Sequence, residues 1–484
     1  NFQDRIANYR TYANGKGVFR FLPASVIQQY NSHHPFGWND GAMIQARGYQ
    51  TQLSAGAYTR IGPLSIQLQP EFVFAQNRDF ATFPSSYSDT VWRAYYHVLN
   101  NSDNPEKYGS GTYTKLLPGQ SSIRLHYKKL SIGISTENLW WGPGMRNSLL
   151  MSNTATAFPH LTLNTTSPLL SGIGSFEFQI ISGKLKGSGI LPPDTARTFD
   201  GNRLYQPKRE EDRYLNGMAV TWQPKWTPGL HLGFSRVFYQ YESDVRHTFD
   251  GYLPVLGAFF KGSTDDEDAK MRDQMLSIFF RLVLPKSKTE VYGEYGRNDH
   301  AQNARDLLLE PEHARAYLFG IRKLFDTKKS DKFFEMGLEF TQLQKPSTML
   351  VRPMESWYTH HQVRHGYTHR GQVLGAGIGP GASSQTLSLN WIKGIKKLGF
   401  RIERIVHDND FYYEAFGNTT NFQSHWVDLV LNANKSWYCK RFIFSGDISY
   451  IRSFNYQWDY RAALNDNYND VNNLQLRLSV MYAL

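Results

Sequence analysis

The sequence predicts an all-β protein, a transmembrane antiparallel β-barrel of eighteen strands with inserts filling its lumen and long extracellular loops. Three observations predict it. Apolar and polar residues alternate over segment after segment, as in Tyr49-Gln50-Thr51-Gln52-Leu53-Ser54 and Leu64-Ser65-Ile66-Gln67-Leu68, which puts one face of each strand in lipid and the other in a polar interior. The chain of 484 residues carries 29 Tyr, 31 Phe and 11 Trp yet has a mean hydropathy of −0.50, a combination that suits aromatic girdles around a lipid-facing band. Short turns alternate with long hydrophilic connections, and in such barrels the turns face the periplasm and the loops face outward. No run of 18 or more apolar residues exists, which excludes helical membrane spans.

Residues 1–41 hold a modest helical possibility around Pro23–Tyr30 and a turn-rich aromatic cluster from His33 to Gly41. They form a luminal or periplasmic segment, or supply a first strand, ahead of a barrel spanning 42–484. Alternation begins at Ile44 and turns at Ile61-Gly62-Pro63 into a second strand. Hairpins then pair 121–127 with 130–137, 213–223 with 230–241, 272–284 with 289–297, 314–325 with 333–343, 384–392 with 399–407, and 425–433 with 441–452. A last strand alternates from Leu474 to Leu484. Long connections fall at roughly 77–119, 138–170, 242–270, 298–313, 344–383, 408–424 and 453–470. Parity asks for two further passages, one before residue 44 and one between about 183 and 197, because 172–182 follows a long connection and is expected to run toward the periplasm. Together with sixteen clear strands they make eighteen.

One stretch breaks the alternation. Within 138–170, Trp140 and Trp141 run into Gly142-Pro143-Gly144, then Arg146-Asn147, a Ser/Asn/Thr run and Pro159-His160. Turn formers beside large aromatics describe a structured, plug-like insert. The two tryptophans fit two roles, stacking on sugar rings or packing the insert against the wall, and the adjoining Gly and Pro favour packing. Glu137 and Arg146 are placed to pair with wall residues. In the long loop 344–383, Trp357, Tyr358, Tyr367, His369 and Gln372 offer stacking faces and hydrogen-bond donors. The candidate ligand-binding set is therefore Trp140, Trp141, Arg146, Trp357, Tyr358, Tyr367, His369 and Gln372.

Glu137-Asn138-Leu139-Trp140-Trp141-Gly142-Pro143-Gly144, continuing through Ser148–Asn153 to Phe158-Pro159, resembles the hallmark of the Wzi-like capsule-assembly family. Tyr367–Gly375 with Ile378-Gly379-Pro380-Gly381 supports the resemblance, and Ser32–Gly41 looks like the version found in Bacteroidetes-type bacteria. Glu137, Gly142, Pro143, Gly144, Gly379, Pro380 and Gly381 are the structural motif positions it marks. The resemblance implies an eighteen-stranded outer-membrane barrel that acts as a lectin and holds exported capsular polysaccharide at the cell surface. Enterobacterial members carry a periplasmic helical bundle ahead of the barrel, and residues 1–41 are too short and too aromatic to be one.

Other features carry less. His361, His365 and His369 would align on a helix as metal ligands, but Gly366 and Gly371 break a helix there and no carboxylate interleaves them, so neither metal nor cofactor is expected. The run Asp265-Asp266-Glu267-Asp268 reads as a solvated loop tip. No nucleophile elbow or phosphate loop is present, and the expected protein is not an enzyme. The net charge of +11 sits largely in short turns, which argues against nucleic acid. Cys439 stands alone, so no internal disulfide forms. A chain opening at Asn1 reads as a mature product whose signal peptide has been removed. Expected partners are a surface or capsular polysaccharide, outer-membrane lipid and other envelope proteins. A porin-like channel and a structural subunit of an outer-membrane complex are the competing readings.

Overall fold

In the computed structural model, which describes residues 9–257, 271–298, 304–327, 331–417, 424–460 and 469–482, eighteen antiparallel passages close into one barrel. The first six are β1 (Gly17–Asn31), β2 (Gly48–Ile61), β3 (Leu64–Leu68 and Glu71–Ala75), β4 (Tyr113–Leu117 and Ser122–Tyr127), β5 (Leu130–Ser135) and β6 (His160–Thr165 and Leu169–Ser171). The next six are β7 (Gly174–Leu185), β8 (Arg213–Pro224), β9 (Leu230–Tyr241), β10 (Arg272–Leu284), β11 (Thr289–Asn298) and β12 (Arg315–Asp326). The last six are β13 (Phe333–Gln342), β14 (Ser383–Lys393), β15 (Lys396–Val406), β16 (Val427–Cys439), β17 (Phe442–Phe454) and β18 (Val471–Tyr482). The barrel shuts where β1 pairs with β18, from Ala24 opposite Tyr482 to Asn31 opposite Gln475. The acidic run at 265–268 and the last two residues lie outside the described residues.

Alternation is what makes these segments strands. In β15, Leu398, Phe400 and Ile402 are exposed on the outer face, while Arg401 and Glu403, at alternate positions, turn into the lumen. A side chain facing lipid loses nothing by being apolar, whereas one facing a polar interior needs partners. Near the short turns the outer face becomes aromatic: Phe176 stacks with Trp222, Trp437 with Phe444, and Lys435 lies over Trp437.

Two passages differ from the sequence expectation. Residues Pro23–Tyr30 belong to strand β1 and not to a helix. Their alternation is broken because the register of β1 against β2 shifts between Leu22 and Ser25, a bulge that accommodates Pro23, which has no N–H to give a ladder. The other inferred passage is not at 183–197. It is β6, which returns from the long connection and pairs with β5 and β7. β7 therefore runs outward, opposite to the parity assumption. Only Leu161 and Leu163 alternate cleanly in β6, and Pro168 interrupts it, so its signal is weak.

All long connections emerge at one end. Three of them, 32–47, 136–159 and 343–382, fold back into the lumen and supply Phe36, Trp38, Trp141, Leu149, Trp357, Tyr358 and Tyr367 to the largest apolar cluster. A second cluster sits nearer the long-connection end, where α1 (Asp89–Asn101) meets α2 (Asn409–Phe416). Val91, Trp92, Tyr95 and Tyr96 recur at helical spacing on the buried face of α1, and Ser88 caps its start. Asp408 caps α2, accepting from the Phe411 amide at 3.0 Å.

Candidate functional site: a latched plug beneath an aromatic cavity

The Trp-Trp-Gly-Pro-Gly stretch is a latch between plug and wall. Gly142 has φ +106°, and a Cβ there would stand 2.7 Å from Glu294 Oε2. A Cβ on Gly144 would stand 2.0 Å from the Asn147 carbonyl oxygen. Both glycines thus let the backbone approach closer than any side chain permits. The turn they create aims three consecutive amides at one carboxylate: Met145, Arg146 and Asn147 donate to Glu339 at 2.6, 3.1 and 2.9 Å. The Tyr292 hydroxyl donates to the same group at 2.8 Å. Arg146 then grips Glu403 with two nitrogens, at 3.0 and 3.1 Å, and its guanidinium lies 3.9 Å from the centroid of the Trp38 ring. Glu137 accepts from Arg124 and from Ser135.

Trp141 is buried and its indole N–H donates to Gln179 at 2.9 Å, while Trp140 is half-buried. Trp357 donates to the Ala314 carbonyl at 3.0 Å. The Tyr358 hydroxyl donates to the Leu149 carbonyl and accepts from the Ala376 amide, both at 2.8 Å. Tyr367 lies against Met151 Sδ, His369 accepts from the Lys186 amide, and Gln372 donates to the Met43 carbonyl. All five are buried, so in this state they hold plug segments to one another and to the wall. Gly379 and Gly381 turn with φ +88° and +59°, with Pro380 between them, and bring this loop against Asp408. The three histidines have separate partners: His361 pairs with Glu355 and stacks on the neighbouring His360, His365 meets Tyr241, and His369 accepts from the Lys186 amide. Among the described residues no group of three or more His, Cys, Asp or Glu side chains could hold a metal.

Above the latch lies a cavity of about 240 Å³ that no single motif announces. His34, Tyr95, Thr154, Gln372, Trp426 and Trp458 reach it from six different long connections. Its wall is aromatic: Tyr95 stacks on Phe83 at 3.9 Å, His407 stacks on Trp426 at 3.9 Å, and Trp426 meets Trp458 edge-on at 5.1 Å. Asp428 accepts from the Trp426 indole at 3.0 Å and lies 2.8 Å from His407 Nε2. Burial pushes the Glu106 carboxyl up, and burial with Asp410 alongside pushes Asp408 up to about 7. Burial holds the His34 imidazole down, at about 4. Sequence reasoning did not nominate Tyr95, Glu106, Trp426, Asp428 or Trp458. The helical spacing of aromatics in Asp89–Asn101 was the one signal that could have drawn attention there.

The family described as "Capsule assembly protein Wzi" matches residues 25–428. Among solved structures, the Wzi barrel of Escherichia coli, described as an outer-membrane protein involved in group 1 capsule assembly and as a carbohydrate-binding β-barrel, aligns with a TM-score of 0.60 at 13% identity, covering 95% of this chain and 84% of that one. OccAB2 of Acinetobacter baumannii aligns with a TM-score of 0.43 at 9% identity, covering 95% of this chain and 97% of its own. A BenF-like porin from Pseudomonas fluorescens Pf-5 gives 0.42 at 10% identity, over 96% and 99%. No curated protein sequence matches.

Proposed function

Because the chain belongs to the Wzi capsule-assembly family, we propose that it is an outer-membrane barrel that holds a capsular or other surface polysaccharide at its outward end, as a lectin and not as an enzyme. One observation carries the reading. Aromatic and polar side chains from six long connections converge on a cavity at the end of the barrel that faces outward in this orientation. A pyranose presents an apolar C–H face to an aromatic ring and hydroxyls to polar neighbours, so rings interleaved with carboxylates and amides suit it. Below the cavity the latch fastens the 136–159 segment across the lumen through Glu339 and Glu403, which favours retention of a ligand over its passage.

The test is retention of polymer. Capsule-bearing cells carrying the full chain should keep the polysaccharide on their surface, and cells carrying a variant with Tyr95, Trp426 and Trp458 all changed to Ala should release it to the medium. Heat-modifiability on gels confirms that the variant barrel has folded. Equal retention by the two would remove the basis of the proposal.

A further inference from the structure

Resting on that glycan-binding reading, we infer that the outer cavity takes a single non-anionic pyranose residue and turns uronic acids away. The cavity wall includes three carboxylates, Glu106, Asp408 and Asp428, and neither a lysine nor an arginine among the described residues. Carboxyl oxygens accept hydrogen bonds from sugar hydroxyls, and Glu106 and Asp408, which burial pushes toward the neutral form, can also donate to them. A uronate would bring a further negative charge into a partly enclosed space whose described wall residues offer it no lysine or arginine, Lys107 and Lys208 standing in the adjoining cleft, and like charges repel more strongly there than in water. Among the described residues the basic groups in the wall are His34 and His407. His407 is already committed to Asp428 at 2.8 Å, and His34 sits buried beside Tyr456 with ring centroids 4.7 Å apart.

The wall also has unused hydrogen-bonding capacity. Trp38, Ser102, Gln457 and Trp458 border the cavity and are each more than nine-tenths buried. Each carries a polar atom with no hydrogen-bond partner in the protein: two indole N–H groups, a hydroxyl and an amide carbonyl. Buried polar groups are nearly always paired, and these four atoms could pair with the hydroxyls of a guest. These atoms are covered by neighbouring side chains in this state, so a ligand reaches them by turning a side chain. A cavity of about 240 Å³ has room for one pyranose ring. A neighbouring cleft of about 290 Å³ shares Tyr95, Ser102 and Glu106 with the cavity and reaches the exposed Leu191, giving the rest of a polymer a way out.

Saturation-transfer NMR and titration calorimetry on the detergent-purified full chain test this, with glucose, galactose and N-acetylglucosamine set against glucuronate and galacturonate. At least one neutral sugar is expected to bind in the millimolar range, with the uronates at least tenfold weaker. Ser102→Ala, which removes only the hydroxyl, should weaken the neutral sugar severalfold, and Glu106→Gln should narrow the gap to the uronates. The inference is overturned by uronates that bind as well as neutral sugars, or by both variants leaving the preference and the affinity unchanged in folded barrels. If no monosaccharide binds but the protein still retains polymer, this inference fails and the lectin reading stands. If polymer is not retained either, both fail.

Discussion

Replacing Gly144 by Ala adds one methyl group and should unlatch the plug. The new Cβ would meet the Asn147 carbonyl oxygen at 2.0 Å and Leu318 Cδ1 at 2.8 Å. The first of these is backbone and cannot rotate away, so the turn itself must open. That turn aims the amides of Met145, Arg146 and Asn147 at the Glu339 carboxylate. Hydrogen bonds to a charged group contribute about 1.5–3 kcal/mol each, so losing two of the three costs about 3–6 kcal/mol. At tenfold per 1.4 kcal/mol, the population with the plug displaced should rise at least a hundredfold. Planar-bilayer recordings should then show openings far more frequent than in the parent protein, and amides 141–151 should exchange hydrogen faster while the strands remain protected. Gly446→Ala is the matched control, because its Cβ would find its nearest neighbour only at 4.0 Å. Gly144→Ala with the parent's conductance and the parent's exchange would refute the latch.

Arg146→Lys keeps the charge but loses the two-nitrogen grip on Glu403 and the stacking on Trp38. It should lower stability by about 2–3 kcal/mol, read as a fall in the thermal midpoint, and a shift within error of the parent would count against the role given to this pair. Asp408→Asn keeps a good helix cap and removes a buried charge. A folded-state value of about 7 against 3.8 means that the native chain binds the extra proton between those limits, so wild-type stability falls as pH rises from about 4 to 7 and stays low above. The Asn variant should therefore gain about 4 kcal/mol relative to wild type at pH 8 but only about 2 kcal/mol at pH 5. Denaturant titrations at the two pH values check this, and an equal offset at both would contradict it.

The fold was legible wherever one face of a strand meets lipid, because lipid enforces period-two patterning. It blurred where a bulge shifts the phase, as around Pro23, and where a strand is short and split, as at Pro168. The glycines of the Trp-Trp-Gly-Pro-Gly stretch were readable as packing residues, but their purpose was not. The carboxylates that this turn meets, Glu294, Glu339 and Glu403, lie on β11, β13 and β15, far along the chain. The cavity was less legible still. It takes one or a few residues from each of six connections, so no window of sequence contains enough of it to stand out.

The seam between β1 and β18 bears on the order of assembly. Gln475 donates to the Phe36 carbonyl and Asn473 to the His34 carbonyl, across 439 residues in each case, and Arg477 pairs with Asp40. The segment 32–47, which forms part of the plug and contributes Trp38 to the cavity wall, is thus fastened to β18, the strand that closes the barrel. It lacks these partners until that strand arrives. Such distant pairings form late because so much chain must be ordered first. Completing the cylinder and seating the first piece of its contents are then one event, and an unfinished barrel would have an unfinished interior.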